Sequence, residues 1–445
     1  MRYICFCISF ILTFFISVSS YSQTQLGGHI TLQECIDLGL ENNPSIKIIE
    51  NREQISRNNH SYQPFMPSMR ATARMNNSTT DGNRKDSDGN NNIFSGQRES
   101  LMRTETNFSW LLFDGLGMFA RYKKSGLILS ASEIQTRQTV ENLILNICNF
   151  YYRILVQQHR VDAAAKTLVL SRERYRIIDE KVNIGSASGL ERHQARLDFN
   201  ADSSNIVRQK ENLQNLYIRL NTLLNVDFTK TSYIADTILL GVPLILSDLE
   251  LETSQNNTYL LASQLGIEQT LSDLKIARSA RFPTLDFSTG YTYRESETPS
   301  ASTTFNMSKG EFYRFELGYN IFNGFQVNRN IKNTKLELEN RKLNYEEIEL
   351  QIMSDLHTLY NTYINNLMMV DFESQTVEVT LFNLDLALER YDLGALSGLD
   401  FREFQLSYLN AVDRLLTAMY QAKANELSLL VLSGRMEEFL ERINN

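Results

Sequence analysis

The stretch YRFELGYNIFNG (residues 313–324) alternates large apolar side chains with small or polar ones. Because side chains in a strand point alternately to its two faces, this pattern predicts a strand with one apolar face. That face would carry Tyr313, Phe315, Leu317 and Tyr319. A long helical pattern follows, and the same change from strand to helix occurs earlier at WLLFDG (110–115). The chain is therefore predicted to be mainly helical, with a few strands.

The two changes from strand to helix belong to an internal repeat. Residues 110–223 align with residues 319–432 at a constant shift of 209, without a gap. NIGSASGLE (183–191) then matches DLGALSGLD (392–400). The matched turns carry the glycine pairs Gly185 and Gly394, and Gly189 and Gly398. A tandem duplication is indicated, in which each copy has a helix, two strands, a long helix, a glycine turn and a returning helix.

Two strands of about ten residues are predicted in each copy, a length that suits a tilted strand crossing a bilayer. An antiparallel sheet packed on a soluble core would show the same alternation. Polar loops at 76–100 and 295–310 join the strands, as on the outer side of a membrane barrel. Four strands cannot close a barrel, so strands of several chains must combine. The lipid-facing residues would be Phe108, Trp110, Phe287, Tyr291, Tyr313, Phe315, Leu317 and Tyr319.

The helices are predicted to be long and antiparallel. No proline occurs from about Met118 to Val182, which corresponds to roughly 100 Å of helix. Apolar residues at 3-4 spacing along this helix and its second copy indicate coiled-coil packing against a neighbouring helix. The returning helix (190–225) and the preceding helix (about 44–65) would stack end to end and cover the long one.

The ends of the chain and its composition limit the class of protein. Arg2, the apolar run 4–18 and SSYS (19–22) are typical of a signal peptide, although a transmembrane anchor is the alternative. The remaining Cys35 and Cys148 suggest neither a disulfide framework nor a metal site, and no lipid anchor is expected. The net charge of −8 argues against nucleic acid as a partner. The predicted segments are a signal peptide (1–22), a first repeat (23–226), a linker (227–253), a second repeat (254–434) and a C-terminal tail (435–445).

The sequence resembles the TolC-like outer-membrane efflux proteins over essentially the whole mature chain. The resemblance rests on TLQECIDLGLENNPSI (31–46), the duplicated turns, and ERYDLGALSGLDFREFQLSYLNA (389–411). It implies a trimer with a 12-stranded barrel in the outer membrane and a helical tunnel in the periplasm. The tube would be the exit duct of a tripartite exporter, with a periplasmic adaptor and an inner-membrane pump of the RND or ABC type. No cofactor is implied, and the substrate and the class of pump stay open.

The resemblance also implies that the glycine turns lie at a periplasmic tip, which closes the tunnel and contacts the adaptor. Tyr391, Asp400 and Glu403 match a tyrosine and two acidic gate residues of the family, and Leu396 and Glu191 are further candidates for the gate or tip. The patterns Ser188 with Glu191 and Ser397 with Asp400 are also capping boxes, which gives both carboxylates an alternative role. At Leu396 the sequence departs from the pattern, because the best-known member of the family has an arginine there that ties the gate shut. Closure is therefore expected to depend on packing of Tyr391 and Leu396.

Two other classes of function are alternatives to an export duct. A periplasmic coiled-coil scaffold without a pore would explain the helices but not the four strands. An enzyme is not expected, because the five histidines have no ligand spacing and no catalytic constellation stands out. No phosphate-binding loop of the form GxxxxGK occurs either. Neither catalytic nor metal-binding residues are predicted.

Overall fold

The computed structural model describes residues 30–85, 89, 91–228, 234, 236–298 and 304–444, so the predicted signal peptide lies outside it. The predicted class is confirmed, because the described part is mainly helical with one four-stranded sheet. The strands are β1 Ser68–Lys85, β2 Asn91–Phe113, β3 Thr284–Glu297 and β4 Phe305–Gly318. The helices are α1 Leu32–Asn42, α2 Pro44–Asn59, α3 Gly117–Asn183, α4 Gly189–Leu224, α5 Leu246–Asn256, α6 Thr258–Ser279, α7 Gln326–Asp392, α8 Gly398–Leu432 and α9 Met436–Asn444.

Each half of the chain begins with two helices joined by a single asparagine. Asn43 lies between α1 and α2, and Asn257 lies between α5 and α6. The side-chain oxygen of each caps the second helix, a role for which asparagine is well suited. The amide nitrogens of the two asparagines donate 2.8 Å hydrogen bonds to the carbonyl oxygens of Leu223 and Leu432 respectively. The two halves thus repeat one local design, while the exact boundaries of the repeats remain a prediction.

A sharp left-handed turn connects the last strand of each half to its long helix. Gly115 and Leu116 have φ of +70° and +69°, and Gly324 and Phe325 have φ of +62° and +63°. Glycine adopts this region freely, whereas other residues rarely do. A Cβ atom on Gly115 would lie 2.5 Å from the carbonyl oxygen of Ser279, so only glycine fits there. The segments FDG (113–115) and FNG (322–324) therefore both end in a glycine with positive φ at the turn.

The sheet is antiparallel in the order β1–β2–β3–β4, but its strands are longer than predicted. They contain 18, 23, 14 and 14 residues, so the predicted length of about ten was wrong. Most of the predicted polar loop 76–100 continues the β1–β2 hairpin, which pairs as far as Lys85 with Asn91. The ladder is made by backbone groups, so polar Ser, Thr and Asn can extend it. The second predicted loop is shortened in the same way.

The apolar face of the sheet is built from cross-strand aromatic neighbours. Trp110 lies opposite Phe287, which lies opposite Phe315, and the rings of the last two are 4.8 Å apart. Tyr319 was predicted to belong to this face, but β4 ends one residue earlier, at Gly318. Gly318 pairs with the first residue of β3, which follows a proline that has no N–H to continue the ladder.

The long helices form a wall together with shorter helices on both sides. As predicted, α3 and α7 each contain 67 residues, or roughly 100 Å of helix. Their neighbours give the order α4–α3–α8–α7 in one part of the wall and α2–α3–α6–α7 in the other. The predicted helix 44–65 was too long, since α2 ends at Asn59 and a 3₁₀ turn at Gln63–Phe65 follows. Pro64 prevents a continuous helix to Phe65, because it lacks the N–H that would bond to the carbonyl four residues earlier.

The main hydrophobic core lies where α1, α3, α4, α7 and α8 meet the segment before α5. Tyr151, Leu356 and Leu427 are fully buried in it. Helix α9, within the predicted C-terminal tail, adds Met436 and Phe439 to the same core. Cys35 and Cys148 are free thiols buried here, and burial raises the pKa of Cys148 to about 12. The Cys148 thiol therefore stays protonated at neutral pH.

Candidate functional site

The two long helices end in the same glycine turn. Helix α3 ends before Gly185, with φ of +80°, and α7 ends before Gly394, with φ of +73°. In both turns the N–H after the glycine donates a 2.8 Å hydrogen bond to the carbonyl five residues earlier, which is a Schellman motif. A Cβ atom on either glycine would meet nothing within 4 Å. The left-handed conformation, and not crowding, therefore requires glycine at both tips.

Serine residues begin the two returning helices, as the capping interpretation predicted. Ser188 Oγ accepts a 3.2 Å hydrogen bond from the Glu191 N–H, and Glu191 accepts one of 3.1 Å from the Ser188 N–H. Ser397 Oγ accepts from the Asp400 N–H at 3.2 Å and donates to the Asp400 carboxylate at 2.8 Å. Both carboxylates are thus engaged at their own helix starts, and their role in a gate remains a prediction.

Tyr391 lies in a small apolar cluster between α7 and α8. It is buried and its ring stacks on that of Phe401, with 5.1 Å between centroids. Leu384 and Leu396 pack in the same cluster, so the structure brings Tyr391 and Leu396 together. Burial raises the pKa of the Tyr391 hydroxyl, and the nearby Arg174 guanidinium lowers it by less. Tyr391 is therefore neutral and acts in the cluster as a large, mainly apolar side chain.

A polar network that the sequence pattern did not predict lies beside this cluster. Arg402 of α8 donates hydrogen bonds of 2.6 and 2.8 Å to the two carboxylate oxygens of Asp202 on α4. Ser171 of α3 donates to the same carboxylate. Gln405 of α8 donates to Ser171 Oγ at 3.3 Å and to the Thr167 carbonyl at 3.2 Å. The Arg402 and Asp202 side chains are only 13% and 7% exposed, so this link between the two hairpins is nearly dry.

Arg174 of α3 makes a second ion pair in the network, with Asp198 of α4 at 2.6 Å. Its Nη1 atom and the Tyr391 hydroxyl are both buried, yet neither meets hydrogen-bond geometry with any described residue. A Cβ atom on Gly398 would lie 3.6 Å from Arg174 Nε, an ordinary van der Waals distance, so Gly398 lies directly against the guanidinium. The Arg174 guanidinium is nonetheless close enough to the Tyr391 hydroxyl to lower its pKa, so this end of the network adjoins the Tyr391 cluster.

Glu403 differs from the other predicted gate residues. It lies in the first turns of α8 and its side chain is exposed. In the part of the chain that the structure describes, its carboxylate has neither a hydrogen bond nor an ion pair. The Glu403 carboxylate can therefore act electrostatically without breaking a contact within the described part of the chain.

Hydrophobic periodicity does not predict the polar network, because the row of α3 that forms it contains polar residues. Helix α3 packs against both α4 and α8, so it buries two rows of side chains. The apolar residues at 3-4 spacing that predicted coiled-coil packing of α3 form a different row. Near the tip this row includes Leu168 and Tyr175, which are only half-buried. The fully buried row also has 3-4 spacing and consists of Ala164, Thr167, Ser171, Arg174 and Ile178. A search for polar residues that keep this spacing would have found it.

This arrangement can act mechanically, by holding the two hairpins of one chain together. A buried ion pair is costly to break when one partner is lost, which makes it a firm contact while it stays dry. Among the residues that the structure describes, no three His, Cys, Asp or Glu side chains are placed to hold a metal ion. None of the described helices combines the length and the apolar character needed to cross a membrane.

Comparisons with known proteins identify the family. The family model described as "Outer membrane efflux protein" matches residues 35–226 and 251–435. A comparison of the sequence with curated proteins gives no match. Among solved structures, the CmeC outer membrane channel of Campylobacter jejuni is similar with a TM-score of 0.78 and 17% identity, over 93% of this chain and 89% of that chain.

Two further structures agree. The outer membrane protein VceC of Vibrio cholerae has a TM-score of 0.71 and 14% identity, over 91% of this chain and 96% of that one. The MtrE outer membrane channel of Neisseria gonorrhoeae has a TM-score of 0.71 and 17% identity, with 91% and 89% covered. At these identities the likeness establishes a shared fold, and the family follows from the sequence match. The chain therefore belongs to the outer membrane efflux protein family.

Proposed function

We propose that this protein is one subunit of a trimeric exit duct in the outer membrane. The duct would passively conduct substrates, delivered by an inner-membrane pump and a periplasmic adaptor, to the outside, without chemistry of its own. The family is one of outer-membrane channels and not of enzymes. The observation that carries the proposal is that a single chain has two edges without a neighbour. The edge strands of the sheet and the edge helices of the wall lie on the same two sides.

In the sheet, the open sides are β1 and β4. Among the described residues, each of these strands has a hydrogen-bonded neighbour on one side only. Unpaired backbone groups cannot remain in lipid, so both edges require partners. If β4 of one chain pairs with β1 of the next, this head-to-tail contact can repeat until it closes a ring. Three chains would then supply twelve strands.

Among the described helices, the open sides of the wall are α7 on one side and α4 and α2 on the other. Helix α7 exposes an outer stripe of apolar residues spaced three, four or seven apart and between 38% and 68% exposed, which is the pattern of a coiled-coil seam without its partner. The outer stripe consists of Met368, Phe372, Val379, Phe382 and Leu386. Helix α4 exposes Leu197, Val207 and Ile218. Packing of α7 against the neighbour's α4 would cover both sets with the same head-to-tail contact.

The apolar face of the sheet supports contact with lipid. Trp110, Tyr291, Tyr313, Phe315 and Leu317 are all exposed in the single chain. Aromatic side chains on an outward face are the usual feature of membrane barrels. Phe108 and Phe287 belong to the same face, with their rings 6.4 Å apart. This face would form the outside of the barrel.

The hairpin tips support a contact with an adaptor. Two equivalent pairs of apolar side chains flank the glycine turns and are 67–84% exposed: Ile184 with Leu190, and Leu393 with Leu399. Exposed apolar groups of this kind mark interaction sites. Gly185, Gly189, Gly394 and Gly398 would shape the turns that present them.

The proposal is tested on the particle extracted with detergent from the outer-membrane fraction. We expect light scattering to give three chains per particle, and planar bilayers to record single-channel currents. A protein that washes off with carbonate, or a trimer that never conducts, would instead be a periplasmic scaffold and would overturn the proposal.

Glu403→Ala is expected to shift the ion selectivity of the duct away from cations. Three exposed carboxylates near the axis attract cations, and charged rings of this kind set selectivity in channels. Because Glu403 has no hydrogen-bond or ion-pair partner among the described residues, the free energy of unfolding should change by no more than about 0.5 kcal/mol. The reversal potential in a salt gradient measures the preference. Glu403→Asp keeps the charge and should behave as wild type, and an unchanged reversal potential in Glu403→Ala would remove Glu403 from the gate.

A further inference from the structure

Three arginines occupy one row across the sheet. Arg74 of β1 lies directly opposite Arg103 of β2, and Arg103 lies directly opposite Arg294 of β3. Residues in directly opposed positions project to the same face, and like charges placed there destabilise a sheet. A row of three (hereafter the arginine row) therefore opposes sheet formation, which calls for a reason outside the stability of the sheet.

The arginine row lies on the polar face of the sheet. Residues next to it along the strands, such as Ala73 and Tyr293, point to the opposite face, because side chains alternate. All three arginines are exposed in the single chain. If the apolar face is the outside of the barrel, the arginine row faces the lumen.

The arginine row keeps an excess of positive charge. Arg103 is paired with Glu105, with 2.8 Å between Nη2 and Oε2. Within the described part of the chain, Arg74 and Arg294 make no ion pair. The next row towards the loops holds Asn76, Leu101 and Ser296 and adds no charge. Three arginines and one glutamate thus leave two positive charges per chain at this level.

The spacing of the arginine row suits a polyvalent oxyanion. Adjacent strands lie about 4.8 Å apart, so the row spans roughly 10 Å from Arg74 to Arg294. Arginine side chains can converge over such a distance on one anion. The planar guanidinium also matches phosphate oxygens in pairs, which a point charge does not.

We infer that the arginine row is a binding site for soluble polyvalent phosphate-type anions on the inner wall of the barrel. The inference rests on the proposed function, because the lumen exists only when several chains close the barrel. A trimer would carry nine such arginines, and rings of arginine are the arrangement by which pores select anions. The duct would then hold anionic cargo, or anions from outside, above the tip.

The test is block of single-channel current by inorganic tripolyphosphate, added to both sides of a bilayer of neutral lipids. We expect the current through the wild-type duct to fall with tripolyphosphate, and Arg294→Gln to need at least about tenfold more of it, because one charge that attracts a polyanion is lost. Lys309→Gln removes one charge at the same level from the opposite face, since Lys309 pairs with Tyr293, and should be blocked as wild type.

The outcomes separate the two proposals. A duct that conducts but is blocked equally in wild type and Arg294→Gln would overturn the anion site alone. Equal weakening by Lys309→Gln would also overturn it, because the effect would then be that of net charge. Absence of any current from the wild-type particle, before tripolyphosphate is added, would overturn the duct and the site with it.

Discussion

Asp202→Ala is expected to destabilise the hairpin tip by about 3–5 kcal/mol, because it leaves the nearly buried Arg402 guanidinium without its counter-charge. Burial alone would lower the pKa of Arg402, but the contact with Asp202 raises it above its ordinary value, so the arginine is charged. After the substitution, Arg402 keeps the Gln405 side-chain oxygen at 2.8 Å as its acceptor. Backbone hydrogen exchange in residues 167–174 and 198–205 should accelerate at least about 100-fold, since 1.36 kcal/mol is a factor of ten.

Two controls separate the buried pair from charge in general. The double variant Asp202→Leu with Arg402→Met removes both charges and should recover most of the lost stability, as replacement of buried ion pairs by apolar side chains does. Glu180→Ala breaks an exposed pair with Arg176 and should leave exchange unchanged, because exposed pairs contribute little. If Asp202→Ala exchanges at the wild-type rate, the network does not hold the two hairpins together.

The features that could be predicted from the sequence are those that depend on neighbouring residues in the chain, such as turns and helix caps. Gly185 and Gly394 end their helices in turns that need positive φ, and that need is expressed in the sequence at the turn itself. The caps at Ser188 and Ser397 are equally local. Alternation correctly assigned the faces of the strands, but it could not give their ends. Polar residues extend β1 and β2, because backbone pairing does not depend on an apolar face.

The polar network could not be predicted in the same way, because its partners are far apart in the chain. Asp202 and Arg402 are 200 residues apart and meet only after the two hairpins pack. The row on α3 that receives them contains Thr167, Ser171 and Arg174, so a search for apolar spacing finds the neighbouring row instead. The arginine row could not be predicted for the same reason, since the sequence of β1 does not show which residues of β2 and β3 will lie opposite it. Contacts between distant segments need the register, and the register is a property of the folded chain.

Phe372→Asp combined with Val379→Asp is expected to abolish the trimer. Both side chains belong to the outer stripe of α7 and are 62% and 58% exposed in one chain. Burying side chains of this size contributes about 1.5–3 kcal/mol each, and the same contact would recur at all three interfaces. An aspartate there loses this contribution and must also be buried without a partner, which costs further free energy. Light scattering of the detergent-extracted particle should therefore give one chain where wild type gives three.

Ser374→Asp supplies the control for added charge, because it places one aspartate at an exposed position of α7 outside the outer stripe. It should leave the trimer intact, and circular dichroism should give the same helix content for all three proteins. A trimer that survives the double substitution would mean that the outer stripe does not face a second copy. The copies would then be held by the sheet edges alone, and the apolar side chains of α7 would face the adaptor or the lumen. If the trimer is lost in the double variant and kept in Ser374→Asp, the neighbouring copy packs on the outer stripe of α7. That stripe is exposed in a single chain, so only a second copy covers it.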